Sequence, residues 1–229
     1  MDDQYVKPVQ EDGMPKSNVR QDSKSKLLDV ALSLIRTKGY SATTVDELCA
    51  AAGVTKGAFF HHFRSKDEFG VAAADHWSET TEALFADAPY HELSDPLDRV
   101  LGYLEFRKRL MTGGVPEFTC LVGTMLQETY QTNPPIREAC NLSISHHAGT
   151  LEADIEAAVA ERGLCPAWRA RSLALHMQAV LQGAFILAKA KGGAEIAEDN
   201  VDHLCCYIKL LFSAGDTQER GRRSRPRGV

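Results

Sequence analysis

The chain lacks the features that mark membrane and secreted proteins. No uninterrupted apolar run reaches the roughly 18 residues that a membrane-spanning helix needs, and no signal-peptide pattern is present. None of the six cysteines forms a CxxC pair, and their spacing is unlike that of secreted, disulfide-linked domains. We therefore expect a soluble cytoplasmic protein without a membrane partner, whose cysteines are reduced and mostly buried as small hydrophobic residues.

Catalytic motifs are absent as well. The sequence contains no nucleophile elbow, no phosphate-binding loop, no zinc-binding helix motif and no convergent set of acids and bases. It also has no stretch in which apolar and polar residues alternate as they do in β-strands. These absences favour an all-α protein that is not an enzyme and needs no cofactor. A helical enzyme is the least favoured hypothesis.

One short stretch, residues 43–63, has the pattern of two helices joined by a turn. At the start of the first helix, Thr44 and Glu47 form a capping box that satisfies free backbone amides. One apolar face follows from the residues at i, i+3, i+4 and i+7: Val45, Leu48, Cys49 and Ala52. Gly53 stands where a helix ends in the left-handed conformation, which glycine adopts at low cost.

The second helix, Lys56 to Phe63, has an outer face suited to DNA. Thr55 precedes it as a cap, and Phe59 and Phe63 lie four residues apart, so both rings face the protein interior. The residues left outside are Lys56, Gly57, Ala58, Phe60, His61 and His62. Because two of them are small, the start of the helix can approach bases and phosphates closely. The pattern predicts a helix that reads the major groove of duplex DNA.

Two other interpretations of this stretch are open. It could be an ordinary helical corner with exposed histidines, since short motifs also match by chance. It could bind a metal through His61 and His62, but neighbouring side chains on a helix point about 100° apart. No cysteine or third histidine lies nearby at ligand spacing. We therefore predict no metal site.

The run from Gly39 to Phe69 resembles the DNA-binding domain of tetracycline-repressor (TetR) family regulators. The matching positions are Gly39, Thr43, Thr44, Val45, Ala51, Ala52, Gly53, Val54, Gly57, His62, Phe63 and Lys66. The resemblance is detailed over residues 24–70 and holds for the other helices only in general plan. It implies that the DNA contacts come from Thr43, Thr44, Thr55, Lys56, Gly57, Ala58, Phe60, His61, His62 and Lys66.

One residue departs from the family pattern. Tyrosine is usual where this chain has Phe60. The resemblance implies that the tyrosine hydroxyl bonds a backbone phosphate, which phenylalanine cannot do, although Phe60 can still touch a thymine methyl group. Losing one phosphate contact weakens positioning on DNA more than it changes sequence preference.

Charge and composition divide the chain into four parts. Residues 1–22 mix Pro, Gly, Asp and Gln without periodicity and are predicted to be a disordered extension. Residues 23–70, the DNA-binding head, carry seven Lys or Arg against five Asp or Glu, and the predicted disordered tail, 216–229, carries five arginines. Since the chain has a net charge of −5, the acidic excess lies in residues 71–215, the body, which we expect to bind an effector and to dimerise. The tail could add salt-sensitive attraction to DNA or contribute nothing measurable.

Helical periodicity predicts nine helices, three in the head and six in the body, and the resemblance implies the same plan. The body helices are predicted at about 65–85, 96–111, 118–130, 134–162, 166–191 and 198–213. The first of them continues from the head into the body and is the predicted lever between the two.

The last two predicted helices carry apolar stripes. One stripe consists of Leu173, His176, Met177, Val180, Ala184 and Leu187, and the other of Val201, Leu204, Cys205, Ile208, Leu211 and Phe212. The resemblance implies that such helices pack against their symmetry mates in a four-helix dimer interface. The alternative is burial inside the monomer. We expect a homodimer, because one small head reads too few bases alone.

Polar and aromatic residues among the apolar stripes of the body indicate an effector chamber, as the resemblance implies. The candidates are Trp77, Tyr103, Phe106, Arg107, Cys120, Gln127, His147 and Gln178. The alternative is an ordinary core, in which His147 is a buried histidine with a hydrogen-bond partner.

Cys120 suggests a second way to sense a signal. Its segment resembles the body of TetR regulators that have a cysteine at the same place, some of which sense electrophiles. Sensing needs a thiolate stabilised by positive charge, which Arg107 or His147 could supply, and an inert buried thiol is the alternative. The leading hypothesis is a homodimeric repressor that a small molecule of unknown identity releases from a near-palindromic, double-stranded operator on the nucleoid.

Overall fold

The computed structural model describes the backbone of residues 22–223 and the side chains of residues 22–213. Within that range the chain is helical and contains no strand, which confirms the all-α prediction. The helices are α1 (Ser23–Lys38), α2 (Val45–Ala52), α3 (Lys56–His62), α4 (Lys66–Ala86), α5 (Pro96–Arg109), α6 (Val115–Phe118), α7 (Leu121–Thr129), α8 (Pro134–Glu161), α9 (Ala170–Lys191) and α10 (Glu195–Arg223), with a 3₁₀ turn at Pro89–Glu92.

Two predicted boundaries need correction. The described body has seven α-helices rather than six, because the one-turn helix α6 begins at Val115 after the Gly113–Gly114 break, with Pro116 in its first turn. The last helix continues to Arg223, about ten residues beyond its predicted end, since residues such as Gln218 and Glu219 favour the helix. The predicted tail therefore begins inside α10. The predicted disorder of residues 1–21 and 224–229 lies outside the described residues.

Three aromatic rings form the centre of the head. Phe59 of α3 and Phe63 directly after it meet Phe69 of α4, with ring centroids 5.1–5.4 Å apart, and all three side chains are buried. Leu27 and Leu48 pack in the same core from α1 and α2. Burial of these rings holds α3 against the other helices of the head with its opposite side free.

The predicted helix caps of the head are confirmed. The hydroxyl of Thr44 accepts a hydrogen bond from the Glu47 amide at 3.2 Å, and the Glu47 carboxylate accepts one from the Thr44 amide at 2.9 Å. Gly53 has a φ of 64°, in the left-handed region, and Thr55 caps α3 by accepting from the Ala58 amide at 3.1 Å. Local sequence therefore determines where α2 ends and α3 begins.

The head is joined to the body in two ways, through α4 and through contacts of α1. The long helix α4 begins in the head core at Phe69 and ends in the body at Phe85, as predicted for the lever. Helix α1 also packs directly on α6 and α7 of the body. The contact of α1 with α6 and α7 was not predicted from the sequence.

The predicted dimer stripes are mostly buried within the monomer, which corrects their assignment as a surface. Helix α9 packs on both α8 and α10. The stripe residues exposed by no more than 6% are Leu173, Met177, Ala184, Val201, Leu204, Cys205, Ile208 and Phe212. Both helices are apolar on more than one side, so periodicity did not decide which side faces inward.

Within the described residues, α9 has the length and apolarity of a membrane-crossing helix. Leu173, Met177 and Leu181 of this helix are nevertheless buried against neighbouring helices. Such burial is the arrangement of a core helix.

Candidate nucleic-acid interface and effector chamber

The outer face of α3 is exposed, as predicted. Phe60 is 54% exposed, and Lys56, Gly57 and His61 are exposed beside it. The Lys56 ammonium lies 2.6 Å from the Asp46 carboxylate of α2, but both side chains are largely open to solvent. Such a surface ion pair is weak and exchanges readily for another anion. The outer face of α3 therefore presents the ring of Phe60, the imidazole of His61 and the ammonium of Lys56 to solvent.

Two predicted contact residues are not on this face. Thr43 is 1% exposed, and its hydroxyl donates to the Gly39 carbonyl at 2.7 Å, so it closes the turn after α1 instead. His62 is half-buried, and its Nε2 lies 2.7 Å from the Ser23 hydroxyl at the start of α1. The described position of His62 corrects the expectation that it points outward. In a seven-residue helix, a rotation of 100° per residue brings the last position to the edge of the buried side.

The remaining predicted contacts surround the outer face. Thr44 and Thr55 are exposed, whereas Ala58 and Lys66 are half-buried. The Lys66 ammonium donates to the Ser41 carbonyl at 3.1 Å and lies 4.5 Å from the centre of the Tyr40 ring. Lys66 therefore connects the start of α4 to the loop before α2. Among the described residues, no group of three potential ligands is placed to hold a metal ion, His61 and His62 included.

In the body, four of the predicted chamber residues meet at one hydroxyl group. The buried Tyr103 hydroxyl oxygen lies 3.1 Å from Arg107 Nε, 3.1 Å from Gln178 Nε2 and 3.0 Å from His147 Nε2. Arg107 and Gln178 can only donate to this oxygen, so the tyrosine O–H donates to the imidazole. Burial, and secondarily the Arg107 charge, lowers the pKa of His147 to about 3, so the ring is neutral and able to accept.

Beside this hydroxyl lies a small cavity of about 30 Å³ that is partly open to solvent. The predicted residues Trp77, Arg107, Cys120, His147 and Gln178 line it, and sequence reasoning missed the others: Thr81, Phe85, Val122, Ser143, Ile144 and Gln182. Such a volume holds one or two water molecules. Phe106 packs behind Phe85, with ring centroids 5.4 Å apart, and does not line the cavity.

A wider cleft of about 210 Å³ lies between α7 and α9. Its lining comprises Thr119, Cys120, Thr124, Gln127, Glu128, Gln182, Phe185, Ile186 and Lys189. Cys120 and Gln182 line both spaces, so they form the wall between the cavity and the cleft. Gln127 belongs to the cleft alone.

Cys120 caps the start of α7. Its sulfur accepts a hydrogen bond from the Gly123 amide at 3.4 Å, and the residue is 9% exposed. Lys189 reaches over this turn to donate to the Thr124 hydroxyl at 2.7 Å. The thiol therefore occupies a helix N-terminus with a cation nearby, on the wall shared by both spaces.

Helix α7 is attached to the head near both of its ends. Before its first turn, Arg36 of α1 donates to the carbonyls of Glu117 and Thr119 at 2.9 and 3.4 Å. Near its last turn, the Glu128 carboxylate accepts from the amides of Tyr40 and Ser41 at 3.2 and 2.7 Å. The head is therefore connected to the same helix that lines the cleft.

Arg36, which makes the first of these contacts, also lies beside the cavity of about 30 Å³. The Arg36 guanidinium lies 5.2 Å from the centre of the Trp77 ring, which lines the cavity. Burial lowers the pKa of Arg36 from its ordinary value, although the group stays protonated near neutral pH. No sequence pattern identified Arg36 or Glu128, because the contacts join residues more than eighty positions apart.

Comparison with known proteins identifies both parts of the chain. Residues 27–73 match the family described as bacterial regulatory proteins, tetR family, and residues 96–198 match the C-terminal domain of LmrA/YxaF-like transcriptional regulators. Together the two matches span more than half of the chain.

Among curated proteins, the chain is 32% identical over 116 residues to the transcriptional regulator AcuR of Cereibacter sphaeroides, covering 51% of this chain and 52% of AcuR. It is 28% identical over 127 residues to the HTH-type regulator YxaF of Bacillus subtilis, covering 53% of this chain and 63% of YxaF. The chain thus spans between half and two thirds of these relatives. A TetR regulator from Chloroflexus aurantiacus superposes with a TM-score of 0.73 at 26% identity, covering 83% of this chain and 96% of that one.

Proposed function

Since the chain belongs to the TetR family of bacterial regulatory proteins, we propose that it is a sequence-specific DNA-binding repressor that a small-molecule effector releases from its operator. Its matched families and relatives are transcriptional regulators, not enzymes. The observation that carries the proposal is the free outer face of α3, defined by Lys56, Gly57, Phe60 and His61, on a head whose other apolar surfaces are packed.

In this proposal α3 enters the major groove. Phe60 and His61 reach base edges, and Lys56 exchanges Asp46 for a backbone phosphate. The exposed Thr44 and Thr55, with the small Gly57 and Ala58, line the approach to the phosphates. Thr43 is left out because it is buried, and His62 and Lys66 act through the head fold by fixing α3 and the loop before α2.

The proposed homodimer uses the exposed sides of α9 and α10 rather than the buried stripes. Leu187 and Tyr207 are each 43% exposed and Leu210 is 66% exposed, so both helices present large apolar side chains to solvent. Gly183 lies on the same side, with open space where a side chain would be. Two copies joined there would present their reading helices to successive major grooves, roughly 34 Å apart.

Effector release is proposed to act through α7. A ligand that enters the cleft or cavity contacts Cys120 and Gln182, and it favours arrangements in which α7 stands further from α9. Arg36 and Glu128 attach α7 to the head, so the head shifts with it. A conformation with the wrong spacing of reading helices then gains population and the operator dissociates.

A second candidate function replaces the ligand by modification of Cys120. Its support is the position of the thiol at the start of α7, between cavity and cleft, with Lys189 close by. An electrophile that forms a bond to this sulfur adds atoms to the wall between the cavity and the cleft. A Cys120→Ser variant separates the candidates: it abolishes the response to alkylating reagents only in this version, while Cys206→Ser, which alters an exposed cysteine, keeps that response.

The DNA assignment is tested by fluorescence anisotropy with the gene's own upstream duplex at fixed salt. Phe60→Ala and His61→Ala should each weaken binding by about 1–3 kcal/mol, roughly five- to 150-fold, the range for one lost base or phosphate contact. Leu142→Ala is the matched control, because Leu142 is 59% exposed on α8 and is not part of the outer face of α3. If both head variants bind as tightly as the control, α3 does not read DNA.

The dimer face is tested by the molar mass in solution. Leu210→Glu places a charge in the proposed interface and should yield a monomer that keeps its helical circular dichroism. A variant that remains dimeric would show that the second copy docks elsewhere.

A further inference from the structure

Arg107 differs from the other half-buried arginines of the body. In the same half-buried class, Arg99 and Arg162 each lie 2.6 Å from a carboxylate, that of Asp154 and of Asp95 respectively. Arg107 forms no ion pair with any described residue, and its hydrogen bond is the one from Nε to the Tyr103 hydroxyl. The two terminal nitrogens of this guanidinium have no described acceptor.

The surroundings of Arg107 are aromatic. The guanidinium carbon lies 5.0 Å from the centre of the Phe85 ring, 5.8 Å from that of Tyr103 and 6.0 Å from that of Phe185. Ring faces attract a cation but do not neutralise it. His147, which shares the Tyr103 hydroxyl with Arg107, is neutral at physiological pH and supplies no negative charge.

The Arg107 guanidinium is half-withdrawn from water, and no described anion compensates the hydration that it loses. Its planar fork matches a carboxylate, which accepts two parallel N–H bonds. The wall beside it offers the further donor Gln178 and the apolar faces of Trp77 and Phe85. The site therefore has a place for a negative head and a separate place for a short apolar body.

We infer that the effector is a small organic carboxylate, held by the guanidinium of Arg107 with its apolar part against Trp77 and Phe85. The inference rests on the proposed function and names the ligand class of the same chamber. It assigns to Arg107 the role of the residue that selects for charge.

Gln182 sets the size of the ligand. Its amide lies against Gly123 so closely that any side chain at Gly123 would collide with it. Because Gln182 lines both spaces, a change in its rotamer joins the cavity of about 30 Å³ to the cleft of about 210 Å³. The joined space is smaller than the roughly 300–1,000 Å³ that drug-sized ligands occupy, which favours a short acid.

The chain offers a direct readout of ligand binding. It contains two tryptophans, Trp77 at the cavity and Trp168 against Phe212 of α10, so a Trp168→Phe background makes the emission specific to the cavity. The probes are acetate, butyrate, hexanoate and benzoate, each compared with its own amide at constant ionic strength. Inorganic phosphate is tested as well as the acids and the amides, and it reports the binding of anions in general.

We expect at least one carboxylate to change the Trp77 emission saturably, with a Kd at least tenfold lower than that of its amide and of phosphate. Arg107→Gln should weaken carboxylate binding at least tenfold. Arg107→Lys, which keeps the positive charge but loses the planar fork of the guanidinium, should weaken carboxylate binding less. Arg109→Gln is the control on the same helix, because Arg109 is exposed and should bind as the parent does.

Four results would overturn the inference: no saturable carboxylate binding, equal affinity for acid and amide, phosphate bound as tightly as the best acid, or full affinity in Arg107→Gln. Circular dichroism of each variant confirms folding, and the lysine variant tests the site if the glutamine variant does not fold. DNA binding is measured on the same preparations. Operator binding without carboxylate binding refutes this inference alone, whereas failure of operator binding refutes the proposed function.

Discussion

Removing the negative charge of Glu128 is the sharpest test of the link between body and head. The carboxylate accepts from two backbone amides, those of Tyr40 and Ser41, at 3.2 and 2.7 Å. In Glu128→Gln one oxygen remains, and the new NH₂ group faces an amide that also donates. One bond is therefore lost, and the other changes from charge-assisted to neutral.

The magnitude follows from the two bonds. A hydrogen bond to a charged group contributes about 1.5–3 kcal/mol and a neutral one about 0.5–1.5 kcal/mol. The site is exposed, and water screens and partly replaces both bonds, so we discount the difference to about 1–2 kcal/mol. If that free energy holds the loop closed, local opening becomes roughly five- to thirtyfold more frequent.

Hydrogen exchange measures this opening directly. The amides of residues 40 and 41 should exchange roughly five- to thirtyfold faster in Glu128→Gln, while amides in the α8 core keep their rates. Glu138→Gln is the matched control, since it makes the same change of charge at an exposed position of α8. Equal exchange at residues 40 and 41 in the two variants would refute the attachment of the head to α7.

Three further predictions concern the chamber and the head. Tyr103→Phe removes the acceptor of Arg107 and Gln178 and should lower the free energy of unfolding by about 2–4 kcal/mol in urea titrations. Gly53→Ala should cost about 1 kcal/mol, because the φ of 64° disfavours a side chain even though space is open there, whereas Gly183→Ala inside α9 should not destabilise the monomer. The hydrogen bond from Lys38 and the Thr44 cap hold the pKa of Glu47 at about 2, below its ordinary 4.5, so its stabilising effect is complete above pH 4.5 and is lost as the pH falls towards 2. As the pH is lowered from 4.5 towards 2, the difference in melting temperature between the wild type and Glu47→Gln should therefore become smaller.

Local features of the head were predictable because they depend on few neighbouring residues. The Thr44 cap, the Gly53 end and the Thr55 cap each involve residues at most four positions apart, so spacing alone identifies them. His62 was assigned to the wrong side because it depends on where α1 begins relative to α3. The Ser23 hydroxyl that binds it is 39 residues away.

The body was less predictable for the same reason. Tyr103, His147 and Gln178 were predicted as chamber residues, but the hydroxyl that joins them depends on how α5, α8 and α9 cross. Helices α9 and α10 carry apolar residues on several sides, so the pattern alone did not distinguish the buried side from the exposed one. Both attachments of α7 to the head join one side chain to backbone atoms, and backbone atoms have no sequence signature.

The position of α7 explains why a small ligand could act on a distant helix. The amide end of the Gln182 side chain of α9 occupies the space that a side chain at Gly123 of α7 would need. A carboxylate that reaches Arg107 from the cleft has to displace that amide, and in the proposed mechanism the bound ligand favours arrangements in which α7 stands further from α9. Arg36 before α7 and Glu128 near its end hold the head at two points, and two points fix orientation as well as distance. A movement of α7 therefore either breaks these bonds or turns the head with it, and only the second outcome couples ligand binding to the spacing of the reading helices.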